Sequence, residues 1–160
     1  MNHLYRGALA AAAMLAASAA VGPAVAQDFN AAPNFGSVNL RAGFTPDPRV
    51  VAVRAGGELD ASGLSSSCRG FISNAPDVRL NYTPGNYPLI ISVASSADTT
   101  LVVNGPDGSW YCDDDGGVNG LNPSLRFNDP QGGRYEIWVG TYRSGRLEGA
   151  RLHISEVSSQ

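Results

Sequence analysis

The chain has 160 residues, with 11 basic residues, all of them Arg, against 14 Asp plus Glu, for a formal net charge of −3. That balance argues against a nucleic-acid binder, which needs a basic face to displace counterions from phosphates. Charged residues make up only 16% of the chain, while 19 Gly and 10 Pro predict short strands separated by many turns, not helices.

Residues 1–26 read as a secretory signal peptide. Arg6, with His3 nearby, supplies the positive start, and an Ala/Leu/Met run follows over 8–20. Pro23 breaks that run, and Ala24-Val25-Ala26 places small residues before a cleavage site at Gln27. The rival, a membrane anchor, would need about 20 strongly apolar residues, and Gly22-Pro23 interrupts this Ala-rich stretch. No Cys follows the site to carry a lipid, and no later segment is long and apolar enough to span as a helix. The expectation is export to the periplasm or the medium, without membrane insertion after cleavage. In that oxidising setting Cys68 and Cys112 are expected to form one disulfide. Two buried free thiols are the alternative; a zinc site lacks further Cys or His at ligand spacing.

After the leader, 27–34 is polar and Pro-bearing and is expected to be a flexible arm. Short strands are predicted over 35–41 and 49–55, around Thr45-Pro46-Asp47-Pro48. Gly56-Gly57 and the Ser-rich stretch 62–67 mark a long loop, and 68–72 a further strand. Val78, Leu80 and Tyr82 alternate with polar residues, as do Leu89, Ile91 and Val93; period two fits half-buried strands. Strands at 99–103 and 109–112 flank Asn104-Gly105-Pro106-Asp107-Gly108, whose residues suit a tight hairpin. Leu125 and Phe127, then Tyr135, Ile137 and Val139, then Ala150, Leu152 and Ile154 complete the pattern. Roughly eight to ten strands at spacings of about 8–12 residues predict an all-β fold, an antiparallel two-sheet β-sandwich of jelly-roll-like kind.

The run Asp77-Val78-Arg79-Leu80-Asn81-Tyr82, then Leu89-Ile90-Ile91-Ser92-Val93 and Asp98-Thr99-Thr100-Leu101-Val102-Val103, is the centre of a wider pattern. Pro106-Asp107-Gly108, the acidic Asp113-Asp114-Asp115, and Pro130-Gln131-Gly132-Gly133-Arg134-Tyr135-Glu136-Ile137-Trp138-Val139-Gly140-Thr141-Tyr142 continue it. In order and spacing, 35–160 resembles the bacterial pre-peptidase C-terminal domain family, most closely over about the last 85 residues. The resemblance implies a non-catalytic sandwich, usually attached to secreted peptidases or other hydrolases. Some relatives bind calcium, and some bind protein fibres or carbohydrate. Here the leader is followed by the module alone, which puts an accessory partnership with an exported enzyme in place of an attached one.

The stretch Asp113-Asp114-Asp115-Gly116-Gly117-Val118-Asn119-Gly120 concentrates carboxylates in a Gly-rich loop. Ca²⁺ takes 6–8 oxygen ligands, which Asp113, Asp114, Asp115 and Asn119 could supply, with Asp98 from a neighbouring strand start. Along an extended segment Asp113 and Asp115 point one way and Asp114 the other. The alternative is a solvated acidic turn whose Asp side chains cap local N–H groups.

Covalent catalysis lacks its parts. After the leader the one imidazole is His153, expected on the exposed face of its strand with Arg151 and Ser155. There is no Gly-x-Ser-x-Gly elbow, and without Lys there is no Ser-Lys dyad or Schiff base. Paired carboxylates among Asp98, Asp113 and Asp115 are the one enzymatic route left, and nothing separates their environments as acid and base work requires. Trp138 and Tyr142 fall on the strand face opposite Tyr135, Ile137 and Val139 and form a candidate surface for a protein or carbohydrate ligand. The alternative places Trp138 over the backbone at Gly140, beneath a loop. The functional expectation is an exported, non-catalytic binding or accessory module; the alternatives are a self-assembling envelope protein or a small carboxylate-dependent hydrolase.

Overall fold

The computed structural model describes residues 27–160; the expected signal peptide lies outside the described residues. The strands are β1 (Ser37–Arg41), β2 (Arg49–Ala55), β3 (Leu59–Asp60), β4 (Phe71–Ile72), β5 (Val78–Thr83), β6 (Leu89–Ala94), β7 (Thr99–Asn104), β8 (Trp110–Asp113), β9 (Ser124–Phe127), β10 (Gly133–Thr141) and β11 (Glu148–Ser155). The one helical element is a 3-10 turn at Ala61–Gly63. The alternating apolar residues commit each longer strand to one buried face, and two such faces can only be satisfied against each other.

The chain is all-β, with two sheets. In the first, β10 is central. One of its edges pairs β5 and then β4, and the other pairs β7, with β1, β3 and β8 outermost. The second runs β2-β11-β6-β9 and is wholly antiparallel. Val78, Leu80, Tyr82, Leu101, Val103, Tyr135, Ile137 and Val139 from the first sheet meet Val53, Leu89, Ile91, Val93, Leu152 and Ile154 from the second in the main core.

The expectation of a purely antiparallel arrangement needs one correction. β1 pairs β5 in parallel, Ser37 opposite Arg79 through Arg41 opposite Thr83. β1 and β2, read as neighbours around a turn, belong to different sheets. The chain therefore visits the second sheet before returning to β5, and such a crossover gives a parallel pair where a hairpin cannot.

The expected flexible arm over 27–34 is docked instead. Asp28 donates its N–H to Asn74 at 3.1 Å and Asn34 to Pro76 at 2.8 Å. The Arg79 guanidinium reaches the carbonyls of Ala31 at 2.9 Å and Phe29 at 3.4 Å. Arg79 is also paired at 2.5 Å with Glu136, whose side chain is only 2% exposed.

The outer face of the first sheet carries a second, smaller core. Residues 56–70 lie across it, bringing Ala61 and Cys68, with Ile72 of β4, against Val102 and Trp138. The Cys68–Cys112 disulfide pins this cover to β8. Close approach makes Gly the only fit at two points. A Cβ on Gly57 would sit 2.2 Å from the Ile72 carbonyl oxygen, and one on Gly140 would meet the Phe71 carbonyl oxygen at 2.8 Å.

Candidate functional site

At one end of the sandwich three loops converge: 95–98 between β6 and β7, 114–123 between β8 and β9, and 142–147 between β10 and β11. Asn122 ties the first two together. It is buried, accepts the Thr99 hydroxyl at 2.7 Å and donates to the Ser95 carbonyl at 3.0 Å. Backbone bonds complete the frame, Thr99 N–H to Leu121 at 3.0 Å and Tyr142 N–H to Asp98 at 3.1 Å. A buried Asn with satisfied amide groups is a fixed strut rather than a surface group.

The strut frames a cleft of about 430 Å³ lined by Ser96, Ala97, Asp98, Thr141, Arg143 and Glu148, with Arg146 beside them. Its lining holds both acceptors, Asp98 and Glu148, and donors, Arg143 and Arg146. Arg146 and Glu148 form an exposed ion pair at 3.8 Å, too wet to contribute much to stability and free to exchange for a ligand. Tyr142, joined to Asp98 through its backbone, is 47% exposed, and Leu147 in the same loop is exposed too. The Asp98 carboxyl is held above the usual carboxylate range by partial burial first and by the charge of Asp115 next. Arg143 opposes the shift, and Asp114 adds to it. Asp98 thus lies in the field of both acids.

The five residues read as cation ligands separate into two groups. Asp113 Oδ2 accepts the N–H groups of Gly116 and Ser124, each at 2.8 Å, so this carboxylate anchors the turn. Asn119 is exposed, and its carbonyl receives the N–H groups of Leu121 and Asn122 at 2.8 Å. Asp98, Asp114 and Asp115 share one electrostatic neighbourhood, but among the described residues no three His, Cys, Asp or Glu side chains converge to hold a metal ion.

Trp138 requires a correction. It is 0% exposed, lies under the cover over 56–70, and stands 5.5 Å from the Trp110 ring. It cannot be a ligand platform. Alternation assigned its face rightly, but that face is itself roofed over. Of the two aromatics proposed as a surface, Tyr142 alone is accessible, because β10 ends at Thr141 and the cover does not reach it.

His153 is likewise not exposed, at 8%. Residues after β11 turn back, with the N–H groups of Val157 and Ser158 on Ser155 Oγ at 3.0 Å and Gln160 N–H on Ser92 Oγ at 3.1 Å. Ser92 is the β6 partner of His153, so the returning segment passes beside the ring. Burial first, and then Arg151, holds the imidazole below its ordinary value. It is a packed ring on β11 and does not line the cleft.

Sequence reasoning missed Asn122, Arg143 and Arg146. No motif in the sequence singles them out; only the loop convergence gives them a common place. Compared with known proteins, the chain matches no family model and no curated protein sequence.

Proposed function

We propose that this chain is an exported, non-catalytic module that binds a glycan in the cleft at the loop end of the sandwich. The reading is carried by the way acceptors (Asp98, Glu148) and donors (Arg143, Arg146) line one recess, with the exposed Tyr142 standing in the chain between two of its lining residues, Thr141 and Arg143. Sugar hydroxyls both donate and accept, so they suit a recess lined with both kinds of planar side chain. An exposed Tyr offers an apolar face with a polar tip for the ring. The buried strut at Asn122 supports it further, because a site built before the ligand arrives loses less freedom on binding.

The absence of catalysis is part of the proposal. Asp98 and Glu148 line the recess, but Glu148 is engaged by Arg146 and no nucleophile–base pair lies with them. Calcium is not part of this reading.

The experiment is a glycan array with the purified protein, followed by Tyr142→Ala and Asp98→Ala. Retention of a defined glycan that falls about tenfold or more in each variant, with unchanged melting temperature, supports the site. Retention indifferent to both variants contradicts it.

A further inference from the structure

The recess does not end at the loops. Ser96 lines both the cleft and a second trough, of about 550 Å³, on the outer face of the second sheet. Its floor is Ala52, Ala94 and Gly149, with Ser95 at the cleft end and Arg151 rising from the middle strand, β11. Register places Arg151 between Ala52 and Ala94, and Arg54 opposite Gly149. Both Arg therefore share the face of the floor residues.

Charge changes along this path. The cleft carries Asp98 and Glu148 beside its two Arg, whereas no carboxylate lines the trough. Among the described residues, neither Arg54 nor Arg151 has an ion-pair partner. Arg54 places one N–H on the Leu147 carbonyl at 3.3 Å and keeps four further donors. A guanidinium fork with free donors matches a carboxylate or sulfate in two parallel bonds. Apart from Arg151, the floor carries only Ala and Gly side chains, so a ring could lie against the sheet beside the Arg151 stem.

We propose that the trough is a second subsite, which takes an anionic sugar unit of an extended glycan whose neutral part occupies the end cleft. The proposal rests on the glycan reading of the cleft and names the class of polymer it takes: an acidic polysaccharide. Ser96 is the shared wall, and Arg54 and Arg151 read the charge.

Gly149 makes the idea testable without disturbing the fold. A Cβ added there meets no heavy atom within 4 Å, and its backbone lies outside the left-handed region. A side chain at 149 would project into the trough.

The test is an array carrying oligogalacturonate, oligosialate, hyaluronan and chondroitin fragments beside neutral glucans, xylans and chitooligosaccharides. It is run with the wild type, Gly149→Leu, the double variant Arg54→Ala/Arg151→Ala, and Tyr142→Ala. The expected result is stronger retention of an acidic glycan than of any neutral one, weakened by salt. Gly149→Leu and the double Arg variant should each reduce it about tenfold or more, with melting temperatures unchanged. The inference is overturned if no acidic glycan exceeds the neutral ones, or if Gly149→Leu leaves acidic retention unchanged. Neutral binding lost in Tyr142→Ala but untouched by Gly149→Leu would keep the cleft and remove the trough. Acidic binding sensitive to Gly149→Leu but not to Tyr142→Ala would do the reverse.

Discussion

The carboxylate of Asp77 accepts the backbone N–H of Val139 at 2.8 Å. This bond fills a gap in the central sheet. The β5 pairing of β10 ends at Ile137 and its β4 pairing is at Thr141, so the Val139 groups on that edge have no strand opposite. Asp77 takes the N–H, and Gly56 donates to the Val139 carbonyl at 2.8 Å. A buried backbone group needs such a partner wherever a ladder is interrupted.

Burial pushes the Asp77 carboxyl up to about 6 from 3.8, against the opposing bonds from Val139, Asn34 and Ser73. The folded value lies above the unfolded one, so the native chain holds this proton more tightly. The resulting stability is present in full below about pH 4 and is lost as pH rises through about 6. The shift corresponds to about 3 kcal/mol. Chemical denaturation should show wild type losing roughly that much relative to Asp77→Asn between pH 4 and pH 7. A difference independent of pH would contradict the assignment.

Arg79 and Glu136 predict a graded pair of variants. Glu136 is buried and touched by Arg79 at 2.5 Å and Arg134 at 3.1 Å, but Arg134 is 44% exposed where Arg79 is 19%. Arg79→Ala leaves a buried carboxylate without its better partner and releases the carbonyls of Phe29 and Ala31. It should cost about 3 kcal/mol and open 27–34 to limited proteolysis. Arg134→Ala should cost about 1 kcal/mol or less and leave the arm protected.

The small outer core predicts opposite behaviour for the two aromatics of one strand run. Trp138→Ala removes a side chain that is 0% exposed and should cost about 3–5 kcal/mol. Reduction of Cys68–Cys112, separated by 44 positions, should cost about 4 kcal/mol in the loop-entropy model and red-shift tryptophan emission as the cover lifts. Tyr142→Ala should leave the melting temperature within about a degree, since exposed substitutions change stability little.

The acidic loop predicts a structural response. Asp113→Ala strips the acceptor from two N–H groups, Gly116 and Ser124, and should destabilise by about 1–2 kcal/mol with chelator present throughout. Thermal melts of wild type and variant check it. A rise in melting temperature with Ca²⁺ that Asp98→Asn abolishes would instead assign the loop to a cation.

Much of the fold was legible in period two. Val78-Leu80-Tyr82, Leu89-Ile91-Val93 and Tyr135-Ile137-Val139 each have one core-facing side, and alternation reports that directly. The hairpin at 104–108 was legible because Asn, Gly, Pro and Asp each restrict the backbone locally, and Gly105 N–H indeed bonds Ser109 at 2.9 Å. The parallel β1–β5 pair was not, because pairing partners depend on the path between strands. The ligand-surface reading of Trp138, though not its alternative beneath a loop, and the exposed reading of His153 went astray for one reason: alternation gives a side chain's face, while burial also depends on what covers that face. In one case the cover is the disulfide-held loop over 56–70, in the other the segment returning after β11. The cleft was illegible because Asp98, Arg143 and Glu148 lie on two loops and a strand start, and the loops meet through the Tyr142 N–H on the Asp98 carbonyl.

The central claim is binding without turnover at the loop end, and calorimetric titration with the array-selected glycan tests it most directly when the recovered ligand is then weighed by mass spectrometry. The account predicts saturable heat from the wild type, none from Tyr142→Ala at equal melting temperature, and glycan recovered intact. Steady consumption of the glycan, stopped by changing a single side chain, would contradict it.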